Sequence, residues 1–150
     1  MDPKTTVQAL MDAIQEGDFE KALSSLSGDF SSDACIVCMV LTWHWVRLGE
    51  KLRAAFPDLD FGFHIESVDG NTVRFSTQIH GTQTRDLDLT MLTIGLIPAT
   101  NKSISTEREY GMAVVRAGKV ISWEMESGNC ATLNTILEQL GETRRWQLGY

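Results

Sequence analysis

The sequence predicts an α+β domain: N-terminal helices packed on a strongly bent antiparallel sheet, with a C-terminal helix to finish. Three observations predict it. Apolar residues recur at helical spacing as far as Phe56, the period switches to two from Leu59 onward, and helical spacing returns between Leu133 and Leu140. A bent sheet of this kind can cup its helices and leave a cavity between them. No internal repeat or low-complexity linker divides the chain, so residues 1–150 are read as one domain.

Val7, Leu10, Met11 and Ile14 fall at i, i+3, i+4 and i+7, which predicts a first helix stopped by Gly17. Asp18 then caps a second, carrying Phe19, Ala22, Leu23 and Leu26. A short apolar strand candidate follows the polar stretch GDFSSD. Thr42 caps a third helix whose Trp45, Leu48, Leu52, Ala55 and Phe56 share a face, and Pro57 ends it. On this reading the first 49 residues are mainly helical.

From Leu59 the alternation takes over. Phe61, Phe63 and Ile65 lead into a tight turn at Asp69-Gly70-Asn71, and Val73, Phe75, Thr77 and Ile79 return with one apolar face. The segment from Gly81 to Asn101 reads as a long connection of modest regular structure. Within it, Pro98 restricts Ile97 to extended backbone and Asn101 tolerates turn geometry, so GLIPATNK is a corner leading into a strand. Next, Ile104, Tyr110, Met112 and Val114 share one face and Ile121, Trp123 and Met125 another. A turn centred on Ala117-Gly118 sets Met112 opposite Trp123 and Tyr110 opposite Met125. Leu133, Ile136, Leu137 and Leu140 predict the last helix, stopped at Gly141.

Composition excludes several functions. A net charge of -7 argues against nucleic acid or an anionic membrane as partner, because phosphate binding needs clustered Lys and Arg. No apolar run approaches a membrane span, and the N-terminus carries no secretory pattern, so a cytoplasmic protein is expected. Three cysteines fit a reducing compartment. Cys35 and Cys38 have C-x-x-C spacing but lack the second ligand pair of a zinc site and the strand context of a redox motif; they read as small buried hydrophobes. No metal and no cofactor is expected.

In order along the chain, RLGEKLRAAFPDLDFGF, NTVRFSTQIHGTQT, GLIPATNKSIS, VVRAGKVISW and TILEQLG resemble the SnoaL-like polyketide cyclases of the nuclear-transport-factor-2-like superfamily. The resemblance runs from about Arg47 to Gly141. It implies a cone-shaped α+β barrel around an apolar pocket, and a homodimer formed through the convex face of the sheet. That superfamily holds cyclases, isomerases, dehydratases and epoxide hydrolases beside members that only bind, so fold alone does not name the chemistry. The sequence departs from the family pattern at Gln83, where an imidazole is usual, and at Ala117, where the turn carries Asp. Trp123 also stands one residue off the commonest spacing.

Ring closure of a polyketide needs a base beside a carbonyl and a donor for the resulting oxyanion. The candidate base is Glu124, because an adjoining indole at Trp123 would raise its pKa. Arg108 and Tyr110 are the candidate oxyanion donors. Phe63, Phe75, Met112 and Trp123 are expected to line the pocket with Tyr110, and His44 to sit at its mouth. By strand parity Glu124 lies on the face opposite Trp123, and a β-bulge would be needed to bring it inward. His64 and His80 fall on a polar face and read as solvated. The reading is an apolar-pocket protein for a small cyclic molecule, catalytic through a carboxylate as a cyclase or isomerase. The alternative is a binding domain that holds a ligand or a partner without catalysis.

Overall fold

The computed structural model describes residues 2–32, 40–90, 94–126 and 129–142, with side chains described for 2–30, 47–90, 94–126 and 133–142. Helix α1 spans Pro3–Glu16. Asp2 caps it by accepting a hydrogen bond from the Thr5 amide at 2.7 Å, Pro3 occupies the first turn, and Gly17 ends it in the left-handed region at φ 79°. Its buried Val7, Leu10, Met11 and Ile14 form the stripe expected from the spacing. Helix α2, Phe19–Ser24, is capped by Asp18, and α3 spans Thr42–Ala55. Helix α4, Asn129–Gln139, buries Leu133, Ile136 and Leu137.

Ten strands follow chain order: β1 Leu26–Ser32, β2 Val40–Leu41, β3 His64–Asp69, β4 Thr72–Thr77, β5 His80–Thr82, β6 Leu87–Leu89, β7 Gly95–Ile97, β8 Ser103–Ser105, β9 Glu109–Arg116 and β10 Lys119–Met125. Six of them form a sheet in the order β2-β1-β10-β9-β4-β3, which stays open at both edges. The rest form two ribbons, β5 with β8 and β6 with β7. Helix α1 lies across β3, β4, β9 and β10, so one face of the sheet is covered. This is the α+β cone expected from the sequence, unclosed as a barrel.

Three expectations need correction. The first 49 residues are mainly helical as expected, but the sheet is neither wholly antiparallel nor confined to residues after Leu59, because β1 adds to the edge of β10 as a parallel strand. The connection from Gly81 to Asn101 contains β5, β6 and β7; its short strands lie below the length at which alternation is detectable. The third concerns register. Lys119 pairs with Arg116 and Val120 with Val115, but Ser122 pairs with Val114, so Ile121 is an extra residue on β10. Trp123 therefore faces Ala113 and Met125 faces Gly111, not Met112 and Tyr110.

The hairpin that precedes this bulge turns at Ala117, φ 52°, and Gly118, φ 74°. Two left-handed residues make the mirror-image turn that suits strand twist, a conformation in which Ala is strained by about 1 kcal/mol. Ala117→Asn is expected to raise the melting temperature by about 2–4 °C, read by thermal unfolding. An unchanged or lowered value would show that the turn does not hold this geometry in solution.

Candidate functional site

On the helix-covered face, β4 supplies Phe75 and β10 supplies Trp123, 0% and 4% exposed. Their ring centroids lie 4.2 Å apart at an angle of 36°. Small residues on β9 make this possible. A Cβ on Gly111 would stand 2.8 Å from the Phe75 ring and 2.6 Å from the Glu124 carbonyl, so the large rings pack where β9 offers no side chain. Phe61 and Phe63, in the segment before β3, complete the group. Their rings stack at 5.3 Å and 3°, and Phe63 meets Trp123 edge-on at 5.8 Å and 85°. Phe61 is buried, whereas Phe63 is only partly so.

The segment carrying those two rings is fixed from both sides. Gln15, at the end of α1, donates to the Leu59 carbonyl at 2.9 Å and accepts from the Phe61 amide at 2.8 Å. Arg53 of α3 donates to the carbonyls of Gln15 and Leu59. From the other side, Asp60 and His80 exchange backbone hydrogen bonds, and the Thr77 hydroxyl donates to the Phe61 carbonyl. Gly62 has φ 57°, and a Cβ there would lie 2.4 Å from the Gln78 carbonyl, so the chain can pass this close only as glycine. The aromatic face is thus held by backbone contacts as well as by ring packing.

Of the residues expected to line a pocket, Phe63, Phe75 and Trp123 come together here. Tyr110 and Met112 do not. Tyr110 is 47% exposed on the opposite, outer face, and Met112 is partly exposed beside it, because the inner side of β9 belongs to Gly111, Ala113 and Val115. Glu124 pairs with Met112 and is exposed on that same outer face. Arg108 is there too, donating to the Ser76 hydroxyl at 2.7 Å and to the Gln78 side-chain oxygen at 3.3 Å. The Ser76 hydroxyl in turn donates to Glu66 at 2.6 Å. The bulge at Ile121 shifts β10 against the unbroken register of β9 on β4, so that Trp123 and Met125 share the inner side with Ala113 and Gly111 while Glu124 stands beside Met112 on the outer face. The side chain of His44, and Cys35 and Cys38, lie outside the described residues.

Gln83 holds the GLIPATNK corner together. Its side chain, fully buried, donates to the carbonyls of Ile97 at 3.1 Å and Pro98 at 3.3 Å and accepts from the Thr100 amide and hydroxyl at 3.2 and 2.8 Å. Its backbone binds Asn101 and Lys102. An amide can donate and accept on one side chain, which is what a turn with two free carbonyls and two free donors requires. The missing imidazole therefore marks a structural brace, and it carries no weight against a function on the aromatic face.

Among the described residues no group of His, Cys, Asp and Glu could hold a metal ion. His80 and Asp60 approach at 3.3 Å, both more than half exposed. Three carboxyls are held below the ordinary range: Asp2 by the Thr5 amide, Asp29 by the Ser27 hydroxyl and Asp88 by the Thr90 hydroxyl. They sit at the α1 cap, in β1 and in β6, apart from the aromatic group. No helix among the described residues is long and apolar enough to cross a membrane.

No family model matches the chain, and no curated protein sequence does. Solved structures match over nearly its whole length. AclR from Streptomyces galilaeus, assigned as a hydroxylase, superposes with a TM-score of 0.66 at 18% identity, covering 93% of this chain and 95% of its own. IdmH from Streptomyces antibioticus, assigned as a polyketide cyclase, gives 0.66 at 19% identity with 94% and 99% coverage. An epoxide hydrolase-like protein from M. tuberculosis gives 0.56 at 15%, covering 91% of this chain and 90% of that one. At these identities the likeness is one of fold, and the fold is that of the SnoaL-like polyketide cyclases and nuclear-transport-factor-2-like proteins.

Proposed function

We propose that this chain binds an apolar, cyclic small molecule against Phe63 and Trp123, between the covered face of the sheet and the helices. The observation that carries the proposal is Phe63: an aromatic ring stacked on a buried neighbour, edge-on to a buried indole, yet only partly buried itself. A ring in that position offers apolar area to a ligand without first having to be exposed. A cyclase or isomerase activity on such a ligand is the second reading, favoured by fold neighbours assigned as polyketide cyclases. Its base would not be Glu124, which stands on the other side of the sheet. The chain works as a single domain, in the cytoplasm, paired with a second copy of itself, and needs no cofactor or metal.

Native mass spectrometry of the purified protein is expected to show a co-purified or added apolar molecule. Phe63→Ala should weaken retention of the environment-sensitive dye 1-anilinonaphthalene-8-sulfonate about tenfold, while Glu124→Gln leaves it unchanged. Equal dye affinity in wild type and Phe63→Ala would refute this placement of the ligand. Loss of binding on Glu124→Gln alone would return the outer face to consideration.

A further inference from the structure

The register of β9 on β4 runs unbroken from Val114 opposite Thr72 to Glu109 opposite Thr77, so alternate residues of β9 keep to one side throughout. Gly111 marks the inner side, because a Cβ there would meet the Phe75 ring at 2.8 Å and the Met125 sulfur at 2.9 Å. Glu109 stands two residues before Gly111 and therefore shares the helix-covered side with Phe75, Ala113 and Trp123. His64 pairs with Ser76, which brings Phe63 level with Thr77. Phe63, Thr77 and Glu109 thus form one row at the end of the aromatic face. The Thr77 hydroxyl donates to the Phe61 carbonyl. Arg108, the neighbour of Glu109 in the chain, is committed to Ser76 and Gln78 on the outer side. The charge of this row is the Glu109 carboxylate, partly buried like the ring of Phe63.

We infer that Glu109 recognises the polar end of the ligand, and that the ligand is a ring compound carrying a protonated amine. The inference rests on the placement of the ligand against Phe63 and Trp123 and adds its headgroup. A carboxylate only accepts hydrogen bonds, so the group it meets must donate. An ammonium donates and brings the opposite charge, and a hydroxyl donates without charge. A carboxylate or sulfonate at neutral pH does neither and adds repulsion, which turns acidic ligands away. Position sets the pose. Because Glu109 is partly exposed, the amine stays at the wet end of the row while the ring turns towards Trp123. The same exposure limits the effect: water screens an ion pair at this depth, so discrimination of about fivefold is expected.

Three probes with one ring system test it: 1-naphthylmethylamine, 1-naphthalenemethanol and 1-naphthoic acid, titrated by calorimetry at neutral pH. Wild-type protein is expected to bind the amine about fivefold more tightly than the alcohol, and the acid most weakly. Glu109→Gln should erase the gap between amine and alcohol and bring the acid closer to both. It should also retain 1-anilinonaphthalene-8-sulfonate, an anion, better than wild type does. Glu109→Asp keeps the charge and should preserve the order. Phe63→Ala should weaken all three probes together and leave their order intact. A wild type that binds the three alike, or a Glu109→Gln variant that keeps the wild-type order, would overturn the headgroup assignment. So would a Glu109→Asp variant that loses the order as glutamine does, because a strand disturbance rather than the charge would then be the cause. In each of those cases a loss of all three probes on Phe63→Ala leaves the ligand placement standing. Unchanged binding of every probe to Phe63→Ala would overturn the placement, and the headgroup assignment with it.

Discussion

Gln83→Leu is expected to lower the melting temperature by about 6–12 °C. Leucine fills the same space but can neither donate to the carbonyls of Ile97 and Pro98 nor accept from Thr100. Water can reach Pro98 and, in part, Thr100; the bond to Ile97 is buried, so its carbonyl stays unsatisfied. An orphaned buried acceptor costs about 1–3 kcal/mol, and the three other lost bonds bring the total to about 3 kcal/mol. For a chain of this length each kcal/mol moves the midpoint by about 2–4 °C. Gln83→His should fall between, because imidazole donates once and accepts once where the amide does more. The corner also holds Asn101 at φ 58°, a conformation that needs outside support in a non-glycine residue. A drop of less than 2 °C for the leucine variant would mean that water replaces the amide and the brace is dispensable.

Much of the fold was readable because long periodic segments leave little freedom. The stripe of α1, the Pro57 stop and the hairpin over Asp69-Gly70-Asn71 appear where spacing and turn chemistry put them. The three-residue strands β5, β6 and β7 were not readable, since three residues cannot display a period of two convincingly. Strand β1 was hidden for another reason. Its pairing with β10 skips from Leu26 to Ser31, and the residues between follow no strand pattern.

The site was half legible. Phe63, Phe75 and Trp123 were found by alternation, since each belongs to a stretch whose apolar face is the buried one. Tyr110 and Met112 were misplaced by the assumption that the larger apolar residues of β9 point inward. The inner side is already filled by Phe75 and Trp123, so β9 faces them with Gly111, Ala113 and Val115 and turns its larger residues out. Exposed apolar residues are common enough that size alone does not orient a strand. A glycine-alanine-valine series alternating with tyrosine, methionine and valine was the available signal. Gln15 and Gln83 had none: a glutamine in a polar run looks the same whether it reaches solvent or a backbone turn.

Phe75→Ala should be the most damaging of the substitutions considered, because the ring has neighbours on every side that cannot follow it inward. Phe75 is fully buried, 4.2 Å from Trp123 by ring centroid, with the backbone of Gly111 beneath it. Removing a buried phenyl ring costs about 3–5 kcal/mol, the spread depending on how far the surroundings collapse. Collapse is restricted here. Gly111 has no side chain to advance, and Phe61 and Phe63 ride on a segment bound to Gln15 and Arg53. The upper part of that range is therefore expected, with a fall of about 8–20 °C in the melting temperature. Phe75→Leu should lose less, since it keeps much of the volume. Trp123 will loosen in the alanine variant, so retention of 1-anilinonaphthalene-8-sulfonate should change with stability rather than independently of it. Phe63→Ala, at a half-buried position, should separate the two by losing dye with little loss of stability. Denaturant titration of both variants decides the matter: a Phe75→Ala loss below about 1 kcal/mol would mean that this ring is not the centre of the aromatic face and that Phe63 rests on something else.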